Sequence, residues 1–158
     1  MAVVSFRAMG TEIVAHGAID GGDALRRLFE TNEAACSRFR ADSDLERMND
    51  APGGEVEVPD RLRDPIRLAA EMRERTEGLV DAGLGAVVAS WGYDRSFEEV
   101  CDGENPQELP TPRWELKGSR LTRSPGTRFD LGGIAKGWTA DRAVTSGAAT
   151  LVAAGGDL

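Results

Sequence analysis

The sequence predicts an α+β fold, a mixed β-sheet flanked by helices, and three observations carry that expectation. Two short stretches near the N-terminus alternate apolar and polar residues with the period of a strand. Two longer segments, 24–37 and the one ending near Thr76, place their apolar residues at helical spacing. Further short β-like runs are scattered between and after the helices instead of alternating strictly with them.

Taken in order, Val3, Val4 and Phe6 predict a first strand. Met9, Gly10 and Thr11 form a tight link to a second strand from Glu12 to Ala18. In that strand Ile13 and Ala15 alternate with Val14 and His16, which predicts cover on both faces. Gly21-Gly22-Asp23 turns the chain into the helix over 24–37, whose apolar face holds Leu25, Leu28, Phe29 and Cys36. Asp42 or Ser43 can cap a short helix carrying Leu45 and Met48, and Pro52-Gly53-Gly54 breaks it. Glu55 to Val58 alternates like a strand. The next helix uses Leu62, Ile66, Ala69, Ala70 and Met72, with Asp64-Pro65 near its start and Gly78 as its stop.

Residues 79–92 are apolar and glycine-rich, and 94–112 are acidic with three prolines, which predicts a surface loop suited to lid or linker duty. Residues 114–116 and 120–123 predict a hairpin, and Thr127 to Leu131 a strand running into Gly132-Gly133. A helix over 134–145 and a strand at 151–153 complete the pattern. No internal repeat or linker divides the 158 residues, so one domain is expected. The last strand is apolar and ends in Gly155-Gly156-Asp157-Leu158, so further strands are expected from a continuing chain or from another one.

Composition excludes several classes. Apolar residues at 41% and charged residues at 29% argue against disorder. A net charge of −8 argues against nonspecific binding to nucleic acid or an anionic membrane surface. Arg38, Arg40 and Arg47 form a local basic patch that reads equally as a solvated helix face or a phosphate contact. The two cysteines, Cys36 and Cys101, fit no zinc or redox spacing, and Cys36 falls at a core position. The N-terminus lacks a basic segment followed by an apolar run and lacks a lipid-accepting cysteine, and no stretch is long enough to span a bilayer; a cytoplasmic location is the expectation.

The densest chemical signal is FDLGGIAKGWTAD, residues 129–141. A strand meets two glycines and a helix begins, an arrangement whose free backbone N–H groups favour a phosphate. Lys136 adds a point charge, and Asp130 can accept hydrogen bonds from a sugar or base. The pattern is neither GxGxxG nor a Walker A loop, and a plain strand–turn–helix corner explains it equally well. Phe39, between two arginines, suits stacking on a planar ring or a place in the core. His16 is the lone histidine, so no Ser-His-Asp or Cys-His set can be assembled without it. Trp91-Gly92-Tyr93 reads as core or pocket wall. Asp81 sits in an apolar stretch where an unpaired carboxylate is costly, so a partner is expected.

Five segments in order resemble the FAD:protein FMN transferase (ApbE) family. They are AMGT at 8–11, SRFRADSDLERMN at 37–49, TEGLVDAGLG…WGY at 76–93, DLGGIAKGWTAD at 130–141 and AAGGD at 153–157. Each alone is weak; their order is the argument, and the segment at 130–141 is the most specific. The resemblance implies an ApbE-like, T-fold-like architecture, with 1–158 as the N-terminal portion of one flavin transferase domain. It implies a Mg²⁺-dependent reaction in which FMN passes from FAD to a threonine or serine of a target flavoprotein and AMP is released. It assigns Met9, Phe39, Leu79, Val80, Asp81, Asp130 and Lys136 as FAD contacts, and gives the main-chain oxygen of Gly133 to the magnesium ion.

The sequence departs from the family where Leu79-Val80-Asp81-Ala82 lacks the usual Phe, Pro and Thr near the aspartate. The family's remaining metal ligands and a transfer histidine lie beyond residue 158, and His16 does not match that histidine. The 158 residues alone are therefore expected to be inactive in transfer. The alternatives are a flavin-binding or FAD-pyrophosphatase protein that leaves proteins unmodified, and a structural domain with a vestigial site. Target and oligomeric state are not specified by the sequence.

Overall fold

The computed structural model describes residues 3–92, 109 and 111–155. The expected surface loop at 94–112 falls almost wholly outside the described residues, as do Tyr93 and Cys101. The class is α+β, and the strands divide between two three-stranded antiparallel sheets.

The first sheet begins with a hairpin of β1 (Val3–Ala8) and β2 (Thr11–His16). Ala8 pairs with Thr11, so Met9 and Gly10 alone make the turn, both at positive φ (51° and 73°). That is the backbone of a mirror-image two-residue turn, whose twist suits a hairpin. Glycine adopts it freely; methionine does so at a cost of about 1 kcal/mol or more. β6 (Leu151–Ala154) pairs antiparallel with the other edge of β2, giving the order β1-β2-β6.

Strand alternation turns Ile13, Ala15, Val152 and Ala154 inward, all buried. The opposite face of β2 is less covered than expected: Val14 is half-buried and His16 exposed. Against the inward face lie α1 (Asp23–Cys36), through Leu25 and Phe29, and α5 (Gly132–Thr145), through Ala140 and Ala143. The Phe6 ring meets Phe29 edge-on at 5.7 Å between centroids. A buried hydrogen bond from Asn32 Nδ2 to Thr139 Oγ1, 3.0 Å, joins the two helices.

The second sheet runs β3 (Gly54–Glu57), β5 (Arg120–Arg123), β4 (Trp114–Lys117). It shares a core with α2 (Asp44–Asp50) and α3 (Arg63–Arg75), built on Leu45, Leu62, Ile66, Leu121, Phe129 and Leu131. Of the two expected caps, Ser43 takes the N-cap of α2, its hydroxyl accepting from the Glu46 N–H at 3.0 Å. Pro65 sits in the first turn of α3, where its missing N–H costs nothing. Cys36 is buried, as its helical position requires, and burial together with the nearby Asp44 carboxylate pushes its thiol up to about 12.

Two elements differ from expectation. A short helix, α4 (Gly85–Ser90), forms inside the glycine-rich stretch, and Trp91 just after it is 53% exposed and so no part of the core. Residues 127–131 form no strand; a single parallel bridge, Leu84 to Arg128, is all the ladder they make. The Phe129 N–H and carbonyl and the Thr127 carbonyl are satisfied by side chains, and the Thr127 and Asp130 N–H groups and the Arg128 carbonyl by loop backbone. Among the described residues no helix is long and apolar enough to cross a membrane.

Candidate functional site

Of the expected site residues, Phe39, Asp130 and Lys136 are linked at the segment 128–132 and the start of α5 that follows it. Asp130 is the hub. Its Oδ1 accepts the Gly132 N–H at 2.7 Å, and its Oδ2 pairs with Arg38 Nε at 2.8 Å. The Arg38 guanidinium in turn lies 4.2 Å from the centroid of the Phe39 ring. Phe39 is 53% exposed and belongs to neither core, so its ring is free to present a flat face. Arg38 is thus a site element of the basic patch, joining the aromatic to the helix start. Arg40 turns away to Glu30 and Asp42, and Arg47 to Asp44.

At the helix start, Lys136 folds back one turn and donates from Nζ to the Gly132 carbonyl at 2.9 Å. Its ammonium therefore stays beside the first turn of α5, where the backbone N–H groups concentrate positive potential. Gly133 is exposed, and a Cβ placed on it would meet nothing within 4 Å. Arg38 through Asp130 and Lys136 through the Gly132 carbonyl thus both bear on the exposed first turn of α5.

The loop carrying Leu79, Val80 and Asp81 runs alongside the same segment. The Asp130 N–H donates to the Ala82 carbonyl at 2.8 Å, and the Gly85 N–H to the Arg128 carbonyl at 2.9 Å. The approach is close enough that a Cβ on Gly85 would stand 2.8 Å from the Arg128 oxygen, so only glycine fits. Leu79 is 89% exposed and Val80 is exposed.

The expected partner of Asp81 is found inside the chain. Its Oδ1 accepts from Trp114 Nε1 at 2.7 Å and from the Gly83 N–H at 2.8 Å, and its Oδ2 pairs with Arg73 Nε at 3.0 Å. Arg73 also stacks on the Trp114 ring at 4.9 Å. This carboxylate ties the loop to α3 and β4.

Met9 stands at the junction of the two cores, packed against both, and its N–H donates to Glu33 Oε2 at 2.9 Å. That bond from α1 holds the turn in its costly conformation.

Behind the site, α2 is laced to residues 127–130 by side chains. Asn49 Oδ1 accepts the Phe129 N–H at 2.7 Å, and Asn49 Nδ2 donates to the Phe129 carbonyl at 3.0 Å. Arg128 pairs with Glu46 at 2.5 Å and with Asp50 at 2.9 Å. Arg123 is 4% exposed and donates to the carbonyls of Met48 (2.7 Å), Ala51 (2.7 Å) and Thr127 (3.0 Å). Burial lowers its pKa from the usual arginine range, yet it remains a cation closing the C-terminal end of α2. At the other end, burial pushes the Asp44 carboxyl up, but hydrogen bonds from Arg61 and Arg47 override it and hold the group below its ordinary range.

Asn49 closes the segment 37–49 that carries the family resemblance, though with no role assigned, whereas Arg73, Trp114 and Arg123 escaped the sequence reading. Of these three, Arg123 left a signal: it shares a strand face with buried Leu121, an odd place for arginine unless its donors are needed.

The magnesium expectation fares differently. Among the described residues no group of three or more His, Cys, Asp and Glu side chains stands ready to hold a metal ion. Asp130, the carboxylate nearest Gly133 in sequence, has both oxygens engaged. Mg²⁺ wants near-octahedral oxygen donors, and these residues do not form such a set.

A family model described as the ApbE family matches residues 9–158. The chain belongs to the ApbE family. Solved structures agree on the fold. The chain is similar to the ApbE protein of Thermotoga maritima at 24% identity and a TM-score of 0.77, over 98% of this chain and 56% of that one. It is similar to the apo form of the flavinyl transferase ApbE of Pseudomonas stutzeri at 19% identity and a TM-score of 0.70, over 92% and 55%. Against the flavin transferase ApbE of Vibrio cholerae the values are 23%, 0.72, 97% and 56%. The chain thus spans little more than half the length of these ApbE structures. No curated protein matches it.

Proposed function

We propose that this chain forms the flavin-nucleotide-binding portion of an ApbE-type transferase that moves FMN from FAD to a threonine or serine of a target flavoprotein. The observation that carries the proposal is the Phe39–Arg38–Asp130 chain at the start of α5. It sets an exposed aromatic face beside a cationic helix terminus, and FAD offers a planar ring and a pyrophosphate to match. Phe39 would stack on the isoalloxazine, and the α5 terminus with Lys136 would face the phosphates. Asp130 would accept from a polar edge of the ligand while Arg38 keeps it oriented. Met9, Leu79 and Val80 would border the ring, and Asp81 would act by holding their loop.

In the transfer, the acceptor hydroxyl oxygen forms a bond to the FMN phosphorus. The pyrophosphate P–O bond breaks, AMP leaves with the bridging oxygen, and the hydroxyl proton is lost. Catalysis of this kind is chiefly positioning and charge neutralisation. The Mg²⁺ that the family resemblance implies would find the Gly133 main-chain oxygen here but no accompanying carboxylate set among the described residues, so no step is routed through it.

The test is a titration with FAD followed by flavin fluorescence, then incubation of the intact protein with FAD and a candidate flavoprotein. Phe39→Ala and Asp130→Ala should each weaken FAD binding by about tenfold, equivalent to ~1.4 kcal/mol. Covalent flavin on the target with equimolar AMP supports transfer. FMN and AMP without a covalent product replaces transfer with pyrophosphatase action, and absence of FAD binding overturns the reading.

A further inference from the structure

The segment between Thr127 and Leu131 has strand-like composition but lies in no sheet, and Asn49 takes the place of its missing neighbour. One primary amide supplies both an acceptor and a donor to the same residue, Phe129, much as a partner strand does. Asn49 is 6% exposed and Phe129 1%, so neither bond is exchanged for water. The amide is itself aimed by Glu46, whose Oε1 accepts from Asn49 Nδ2 at 2.8 Å. Glu46 also holds Arg128, the residue just before Phe129.

The location gives this clamp its importance. Helix α2 begins at the end of the loop that carries Arg38 and Phe39. Phe129 is followed at once by Asp130 and the start of α5. Asn49 is therefore the buried fastening between the loop that presents the aromatic face and the segment that presents the helix terminus. We propose that Asn49 is a positioning residue that sets the separation of these two halves of the site. It touches no ligand; it acts through Phe129. A ligand that bridges both halves feels that separation, whereas a ligand confined to one half does not. The ligand part of this inference rests on the flavin reading above, and the fastening itself does not.

The experiment uses the full chain with Asn49→Ala and Asn49→Asp. Backbone amide exchange in the ligand-free protein reads the fastening. In Asn49→Ala the amides of 128–131 should exchange at least about tenfold faster, the counterpart of ~1.4 kcal/mol of lost local protection, while β1 and β2 are unchanged. Asn49→Asp keeps the acceptor for the Phe129 N–H and loses the donor to its carbonyl at neutral pH. A protonated aspartate regains that donor, so the exchange difference from wild type should shrink as pH falls below about 5. Dissociation constants for FAD, riboflavin and AMP read the positioning. Asn49→Ala should raise the FAD constant about tenfold and leave the other two within about threefold. Unchanged exchange at 128–131, no pH-dependent recovery in Asn49→Asp, or parallel loss of all three ligands would each overturn the proposal. If the wild type binds none of the three, the flavin reading and the positioning role fall together, and the exchange arm still decides whether the fastening exists.

Discussion

The sheet β1-β2-β6 and the segment 127–130 are both held against helices, but by different means. The sheet closes its backbone groups on other strands, residue by residue, over a buried apolar face. The segment closes the Phe129 backbone groups on Asn49 and the Thr127 carbonyl on Arg123, meets loop backbone only at isolated points, and is pinned further by the Arg128 side chain on Glu46 and Asp50. A ladder spreads its stability over many equivalent bonds and fixes a register. A side-chain lacing concentrates it in a few polar groups, and it leaves room for other loops to approach, as the Ala82 and Gly85 contacts do.

The largest expected effects test this contrast directly. Phe29→Ala, in the core beneath the sheet, should cost about 3–5 kcal/mol in chemical denaturation and leave the site's local exchange rates unaltered up to global unfolding. Arg123→Met removes the donor to four backbone carbonyls, those of Met48, Asn49, Ala51 and Thr127, and should cost about 2–4 kcal/mol; a loss under ~1 kcal/mol would mean those carbonyls find other partners and the lacing is incidental.

Smaller effects sharpen the comparison. Met9→Gly should raise the melting temperature, because it relieves about 1 kcal/mol of backbone strain, while FAD affinity falls through loss of the side chain. A lower melting temperature would show that packing at Met9 outweighs the strain. Ser43→Ala should cost about 1 kcal/mol by uncapping α2.

The pH dependence comes last. Asp44 has a depressed carboxyl pKa in the folded state, so its contribution is complete above the unfolded value near 4 and is lost as pH falls through the folded one. Stability measured from pH 6 down to pH 2 should therefore fall less steeply in Asp44→Asn than in the parent; identical slopes would remove Asp44 from the account.

The same contrast explains what could be read from the sequence. Ladders and amphipathic helices leave periodic traces, so β1, β2, α1, α3, α5 and the β4–β5 hairpin follow from apolar spacing and turn residues. Ser43 was legible because a helix cap is a local event. The residues at 127–131 carry strand-like composition, but what decides their state is an amide 80 positions away in the chain. Helix α4 was hidden because Gly85 is demanded by the approach of Arg128, a contact with no local signature. In the site, the strand–glycine–helix pattern with Asp130 and Lys136 read equally as a phosphate corner or a plain one, Phe39 was assigned as a contact only through the family resemblance, and the geometry joins Phe39 to Asp130 through Arg38. That Asp81 needs a partner was clear from its apolar setting; that the partners are Arg73 and Trp114 depends on tertiary folding alone.

The position of β2 at the centre of its sheet has a consequence for synthesis. Ile13 pairs with Ala154, 141 residues later. At about 5–20 residues per second of translation, one edge of β2 waits on the order of ten to thirty seconds for its partner. β1 and α1 emerge promptly and can shelter the apolar face, but the hydrogen-bonding edge stays open until residues 151–154 have emerged. Nascent chains are thus exposed to edge-to-edge association until β6 emerges, and slowing the ribosome between α5 and β6 would lengthen that interval without altering the folded sheet.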